Sequence, residues 1–346
     1  MKRQRRLETF FQSQREELTF FHVDWSASRH RAVWLSEKPL ETNFQEEVQW
    51  REMKQFVTIG WSATALIKET IDQANLDTAL TAIVKSNLQK CIRRQLRECA
   101  VETAKLFIQT DLSQFVRRLL IIMLEDVMIH ESLPLIVWLT AALNKGFVVN
   151  DAILSWLLSV VDYLCCEKRE SYHSCGVSNL KQEVDERKLY QDALKHPHRD
   201  IILSLMFRKS YGGMPGDMAM ITSYVSLLLA NTVGISSTPL SNITYGDIKP
   251  LNLEEVTLCS IDFHCYPQLL MVLTRENADL TTKDIRAAIW HFNSKINARV
   301  LQCQEDQALK KIWQRLQRRV WSLQKSYLTL CINVNGLRLW QNGQNK

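Results

Sequence analysis

Glycine is never followed by lysine in these 346 residues, and the run G-x-x-x-x-G-K-[ST] is absent. That excludes nucleotide chemistry built on a P-loop. No apolar stretch reaches the roughly 20 residues that span a bilayer, so a soluble chain without a membrane partner is expected. Cysteine pairs spaced C-x-x-C are also missing. The nine cysteines (Cys91, Cys99, Cys165, Cys166, Cys175, Cys259, Cys265, Cys303, Cys331) lie scattered. Even Cys165-Cys166 with His173 and Cys175 lacks paired zinc spacing, so neither a metal nor another cofactor is expected. Met1-Lys2-Arg3 leads into polar sequence instead of an apolar signal core. Reduced thiols in cytosol or nucleus follow as the expectation. There is no internal repeat.

What is present is a substantial apolar fraction, 46%, on a mildly basic chain of net charge +6. The first supports a real core. The second permits contact with nucleic acid without demanding it. Residues 18–60 are rich in Trp, Phe and charge and read as an irregular lead-in with short elements. From Ala63 the pattern turns helical. Leu88, Cys91, Ile92, Cys99, Ala100, Ala104 and Phe107 follow helical spacing, and Asp111 caps a further helix through Phe115, Leu119, Ile122 and Val127. Pro134 suits a first turn, Gly146 a helix end, and Asn150 opens another helix.

Residues 166–198 read as an exposed insertion or linker. Helices resume at Ile201–Lys209 and from Asp217, which is expected at an N-cap. Thr281-Thr282-Lys283-Asp284 forms a capping-box pattern ahead of Ile285 and Ile289. A long basic helix follows over residues 305–327. Alternation around Asn335-Gly336 predicts a terminal hairpin. The expected fold is mainly α, a multi-helix bundle-like body with a flexible N-terminal tail and a small C-terminal β-hairpin. Its divisions fall at 1–17, 18–165, 166–198 and 199–346.

One octet carries most of the functional signal. Residues 4–11, Gln-Arg-Arg-Leu-Glu-Thr-Phe-Phe, match Q-x-x-[aliphatic]-x-x-[aromatic]-[aromatic] inside a basic stretch. The segment resembles the PCNA-interacting peptide (PIP box), by which replication and repair proteins hold the sliding clamp. The resemblance implies a short 3₁₀ turn that projects Leu7, Phe10 and Phe11 into an apolar pocket while Gln4 fills a polar socket. Spacings of three and four do meet on one side of such a turn. Lys2, Arg3, Arg5 and Arg6 would speed encounter with an acidic surface. The competing reading packs Leu7, Phe10 and Phe11 onto the body as an amphipathic helix. Phe20-Phe21 fails the spacing, because Leu18 stands only two residues before the pair, and is expected in the core.

A second likeness spans residues 88–137: Cys91-Ile-Arg-Arg, Ala104-Lys-Leu-Phe, Arg117-Arg118-Leu119 and Glu125-Asp126-Val127. It resembles the C-terminal helical region of replication-associated recombination ATPases, which are clamp-loader-like. In that family the region mediates oligomerisation and is not catalytic, so a homo-oligomer is implied. Met128 departs from the family, where glycine usually follows, and the ATPase half has no counterpart. Read on their own, Arg118 and Glu125-Asp126 fit capping and interhelical ion pairing.

Other candidates are local. Ser210–Asp217 is the most glycine-dense stretch. With Arg208 and Lys209 just ahead, it can cradle a phosphate or simply turn between helices. Asp262 and His264 alternate along an extended segment and invite a catalytic reading, though no companion motif supports one. The basic helix offers Lys310, Lys311, Arg315, Arg318 and Arg319 as phosphate contacts, with Trp313 and Trp321 among them. Together these point to a PCNA-binding accessory protein of DNA replication or repair, with a helical body that binds DNA or another replication protein. It would be nuclear in a eukaryote. The alternatives are a clamp-tethered nuclease or base-processing enzyme centred on Asp262 and His264, and a helical scaffold without clamp binding.

Overall fold

A computed structural model describes residues 18–26, 29–40, 42–62, 74–167, 185–294 and 307–344, with side chains on the last helix as far as Asn335. The clamp-like octet, Gln4 to Phe11, therefore lies outside the described residues, as do His173 and Cys175. The chain folds into two compact units. The first takes its described residues from Met1–Ile67, Ile129–Val148 and Ser171–Ser237, and the second from Lys68–Met128, Val149–Glu170 and Thr238–Lys346.

Unit one opens with a sheet where an irregular lead-in was expected. Its strands are β1 (Phe20–Ser26), β2 (Arg29–Leu35), β3 (Phe44–Trp50) and β4 (Gln55–Trp61), in the order β2-β1-β4-β3. β1 pairs antiparallel with β2 and parallel with β4, and β3 closes antiparallel on β4. The reason lies in a period of two. Phe21, Val23, Ala32, Trp34, Val48, Trp50, Val57, Ile59 and Trp61 are all buried, while Glu47 and Gln49, which alternate with Val48 and Trp50, face water. Phe21 stacks on Trp34 at 4.4 Å, so the expectation that the second Phe-Phe is core holds for Phe21.

Two helices cover the inner face. In the first, Leu133–Leu143, the residues from Leu133 to Ala142 are buried without exception, as befits a helix apolar all round. Its Trp138 Nε1 donates to Phe21 O at 3.0 Å. From the second helix, Ser204 Oγ accepts from Trp34 Nε1 at 3.1 Å, and Phe207 meets Trp34 edge-on at 5.4 Å.

The helices run in chain order as α1 (Thr78–Arg93), α2 (Arg97–Asp126), α3 (Leu133–Leu143), α4 (Asp151–Cys166), α5 (Glu186–Leu194), α6 (Arg199–Lys209), α7 (Pro215–Leu229), α8 (Gln268–Glu276), α9 (Thr282–Ile289) and α10 (Gln307–Gln344). The mainly α class is thus observed alongside the sheet. A two-residue parallel bridge joins Ile129-His130 to Ile235-Ser236 in unit one.

Several local expectations are met. Asp111 breaks α2 with extended backbone (φ −159°), and its carboxylate accepts from Gln114 N at 2.9 Å. Asn150 caps α4, and Thr281 accepts from Asp284 N at the start of α9. Pro134 sits in the first turn of α3, and Gly146 follows its end at φ +81°. Others are corrected. Asp217 is not the N-cap of α7. Met214 is, because Pro215 with its fixed φ takes the first helical position. Part of the stretch read as a linker is α5, capped by Asp185.

The C-terminal hairpin is replaced by helix. Residues 328–344 continue α10 without a break. Val320, Gln324, Leu328, Cys331 and Asn335 recur at three and four and are all buried, so a helical stripe outweighs the short alternation around Asn335-Gly336. Asn335 Oδ1 accepts from Asp77 N at 3.1 Å, which ties this end of α10 to the cap of α1.

Candidate functional site

The outward face of α10 is a basic strip. Its inner side buries Trp313, Leu316 and Val320 against Leu269, Leu273, Ile285 and Ile289 of α8 and α9. With that stripe fixed, positions 311, 315, 318, 322 and 325 turn outward together. Lys311, Arg315, Arg318, Arg319 and Lys325 are exposed, Lys310 is half-buried, and Trp321 is 44% exposed. Two of the arginines are engaged. Arg315 grips Asp279 through both terminal nitrogens (2.6 and 2.8 Å), and Arg319 pairs with Glu276. These side chains lie in water, where such pairs exchange readily. Lys311, Arg318 and Lys325 have no acidic partner among the described residues. The strip offers cations to an anion and a half-exposed indole at its edge.

The glycine-rich turn is arranged otherwise than a phosphate cradle requires. Arg208 is buried, and its Nη1 donates to Gly212 O at 2.7 Å, closing the turn from inside. Gly212 takes φ +67°, a conformation that favours glycine. Lys209 is largely buried in an ion pair with Glu186. Both cations are thus engaged inside the fold, Arg208 on Gly212 O and Lys209 on Glu186. The turn holds α6 and α7 together.

Asp262 and His264 come together, but inside an ion-pair hub. The Asp262 carboxylate is fully buried. It accepts from Lys90 Nζ (2.7 Å), His264 N (2.8 Å) and His264 Nδ1 (2.9 Å). Burial alone would raise its pKa. The His264 hydrogen bond and the Lys90 charge outweigh that and hold the carboxyl well below the usual range. Lys90 is pulled the other way: burial lowers it by more than Asp262 and its hydrogen bond restore. A carboxylate so deeply ionised, with three donors on it, makes a poor general base.

One helical turn along α1, Arg93 grips Asp126 through Nε and Nη2 (2.7 and 3.0 Å), and its Nη1 donates to Ser294 O at 2.8 Å. Gln89 donates to both Glu125 and Asp126, and Arg118 donates to Gln89 Oε1. Glu125 and Asp126 thus serve interhelical ion pairing, as their residue types suggested, while Arg118 supports them through Gln89. Lys90 and Arg93 were not anticipated. Their signal was available: both interrupt the apolar stripe Ile83, Leu88, Cys91, Ile92 at positions that face inward.

The hub makes a pH prediction. Folding lowers the pKa of Asp262 below its unfolded value of about 3.9. The folded form then binds fewer protons, and the associated stability is complete above the unfolded pKa. It is lost as pH falls toward the folded value. Urea unfolding of unit two between pH 6 and 3 should therefore show a steeper acid loss in wild type than in Asp262→Asn. Parallel curves would mean that Asp262 contributes nothing to it.

Among the described residues, no group of three or more His, Cys, Asp or Glu side chains is placed to hold a metal ion, and no helix is long and apolar enough to cross a membrane. No family model, curated protein or solved structure matches the chain.

Proposed function

We propose that this chain is a sliding-clamp-bound accessory protein of DNA replication or repair, tethered through Gln4, Leu7, Phe10 and Phe11, with α10 contacting DNA. The observation that carries the reading is the octet itself: a glutamine, an aliphatic residue and two adjacent aromatics at clamp-peptide spacing, among Lys2, Arg3, Arg5 and Arg6. Burial of the three apolar side chains supplies affinity of about 1.5–3 kcal/mol each before ordering costs. The basic residues raise the encounter rate. Tethering suffices for function, because a clamp encircling DNA raises the local concentration of a weak DNA binder. A nuclear site of action belongs to the same reading.

Support for the DNA contact comes from the exposed cations of α10. For the enzyme alternative, Asp262 is buried and engaged by Lys90 and His264, which favours the binding reading over one centred on that carboxylate.

The test of the tether is a titration of a peptide of residues 1–20 against PCNA. Binding at about micromolar Kd or tighter, abolished by Phe10→Ala/Phe11→Ala, is expected. Equal behaviour of the two peptides would end the clamp reading. The DNA contact is tested separately on the full chain. Charge reversal at Lys311, Arg318 and Lys325 should weaken duplex binding and flatten log K against log salt by about 2–3 units of slope, one phosphate contact per cation. An unchanged slope would place any DNA contact elsewhere.

A further inference from the structure

Two thiols meet where α1 turns into α2. Cys91 lies fully buried in the last turn of α1, and Cys99 is partly exposed in the first turn of α2. The corner between them is tight. Gln95 takes φ +60°, and Leu96 N donates back to Cys91 O at 2.9 Å. This closure brings the two sulfur atoms to 3.1 Å. A disulfide bond is about 2.0 Å long, so a displacement of about 1 Å joins them.

The surroundings hold Cys99 in place. Asn87 Nδ2 donates to its sulfur at 3.7 Å, and Asn87 is itself anchored by Thr257 Oγ1 and Ser260 Oγ (2.6 and 2.7 Å). Neither thiol has a part in the ion-pair hub or the basic strip.

We propose that Cys91 and Cys99 form a reversible dithiol–disulfide site that reacts with hydroperoxides, Cys99 as the attacking sulfur and Cys91 as the resolving one. The Cys99 thiolate attacks the O–O bond, takes one oxygen as sulfenic acid, and the other leaves as alcohol or water after protonation. The Cys91 sulfur then attacks the Cys99 sulfur, and the hydroxyl departs with the Cys91 proton as water. Two thiols give up two electrons and two protons, and the hydroperoxide is reduced.

The division of roles agrees with the local electrostatics. The hydrogen bond from Cys91 lowers the Cys99 thiol below its ordinary range, and Asn87 and Thr103 assist against burial and nearby Glu102. The same contact and burial raise Cys91, opposed by Arg94. Cys99 therefore ionises first and is the sulfur that peroxide can reach. This site is independent of the clamp reading.

The experiment exposes the full-length reduced protein to hydrogen peroxide, blocks remaining thiols, and digests with trypsin, which cuts at Arg93, Arg94 and Arg97 between the two cysteines. Mass spectrometry should find the Cys91–Cys99 cross-linked peptide, lost on reduction. It should form about tenfold or more faster in the folded protein than in urea, because the fold prearranges the two sulfurs. In Cys91→Ser, Cys99 should accumulate as a sulfenic acid trapped by dimedone. In Cys99→Ser, Cys91 should stay reduced at the same dose. A cross-link to Cys165 or Cys166 instead would overturn the proposal. So would direct passage of Cys99 to sulfinic acid in wild type, or equal rates in urea. The wild-type arms decide the matter even if a variant fails to fold.

Discussion

Asp126→Ala should destabilise unit two by about 3–5 kcal/mol, the usual cost of stranding one member of a buried ion pair. Arg93 and Asp126 are 4% and 2% exposed. Removing the carboxylate would leave a guanidinium away from water, facing Ser294 O, a Glu125 oxygen 3.6 Å off and the Trp290 ring. In the intact hub burial works against the Arg93 charge, and the neighbouring Asp126, Glu125 and Asp262 more than offset it. Without Asp126 that support is lost, yet a guanidinium does not shed its proton in a protein and the charge stays. Gln89 also loses one of its acceptors.

The control is the double substitution Arg93→Met/Asp126→Leu, which removes both charges and should recover most of the loss, since apolar replacement of a whole pair is often near neutral. Urea unfolding, with amide exchange in α1 and α2 as the local reading, measures both. A loss below about 1 kcal/mol for Asp126→Ala would show that the pair is solvated like a surface bridge.

The second large effect belongs to unit one. Trp34→Ala should cost about 3–5 kcal/mol, the range for emptying an aromatic site in a packed core. Trp34 is fully buried, stacked on Phe21, and packed against Phe207 and Trp50 at 5.4 and 5.2 Å. Its indole also donates to Ser204, whose hydroxyl in turn donates to Asp200 O. Trp34→Phe keeps most of the apolar contact and gives up the hydrogen bond, so its cost should be about 0.5–1.5 kcal/mol from that bond, plus a smaller packing loss. Near-UV dichroism and denaturant unfolding separate the two. If Ala and Phe cost the same, the hydrogen bond rather than the packing governs the position.

Both effects sit in places where sequence reading was uneven. Helix starts were legible because a cap is a local event: Asp111, Asn150 and Thr281 each need only a backbone N–H two or three residues ahead. The sheet was missed although its alternation is present. Its inner positions are filled by Phe and Trp, and its outer ones mix charge with glutamine, histidine and a further phenylalanine, so the contrast between faces is blurred. Phe56, exposed on β4, and His22, buried on β1, are two such positions. The α10 tail failed for the opposite reason. A run of about a dozen residues fits both a period of two and a period of 3.6 until burial is known.

The charged residues show the same boundary. Composition and motif spacing placed Lys311, Arg315, Arg318 and Arg319 on a basic helix, and they are on its outer side because an amphipathic helix has only one apolar stripe to bury. Arg208 looked equally available in the sequence, and nothing local beyond their place in an apolar stripe set Lys90 and Arg93 apart from surface cations. Whether a cation meets water or a carboxylate depends on which distant segment packs against it. Asp262 stands 172 positions from Lys90, and Ser294 stands 201 from Arg93. The sequence by itself determined the helical class, the caps at Asp111, Asn150 and Thr281, the basic strip and the clamp-like octet, all written within a few turns of chain. Only the tertiary structure decided the sheet, the ion-pair hub and the meeting of Cys91 with Cys99. Those depend on long-range closure or on one corner's exact turn, which no local pattern encodes.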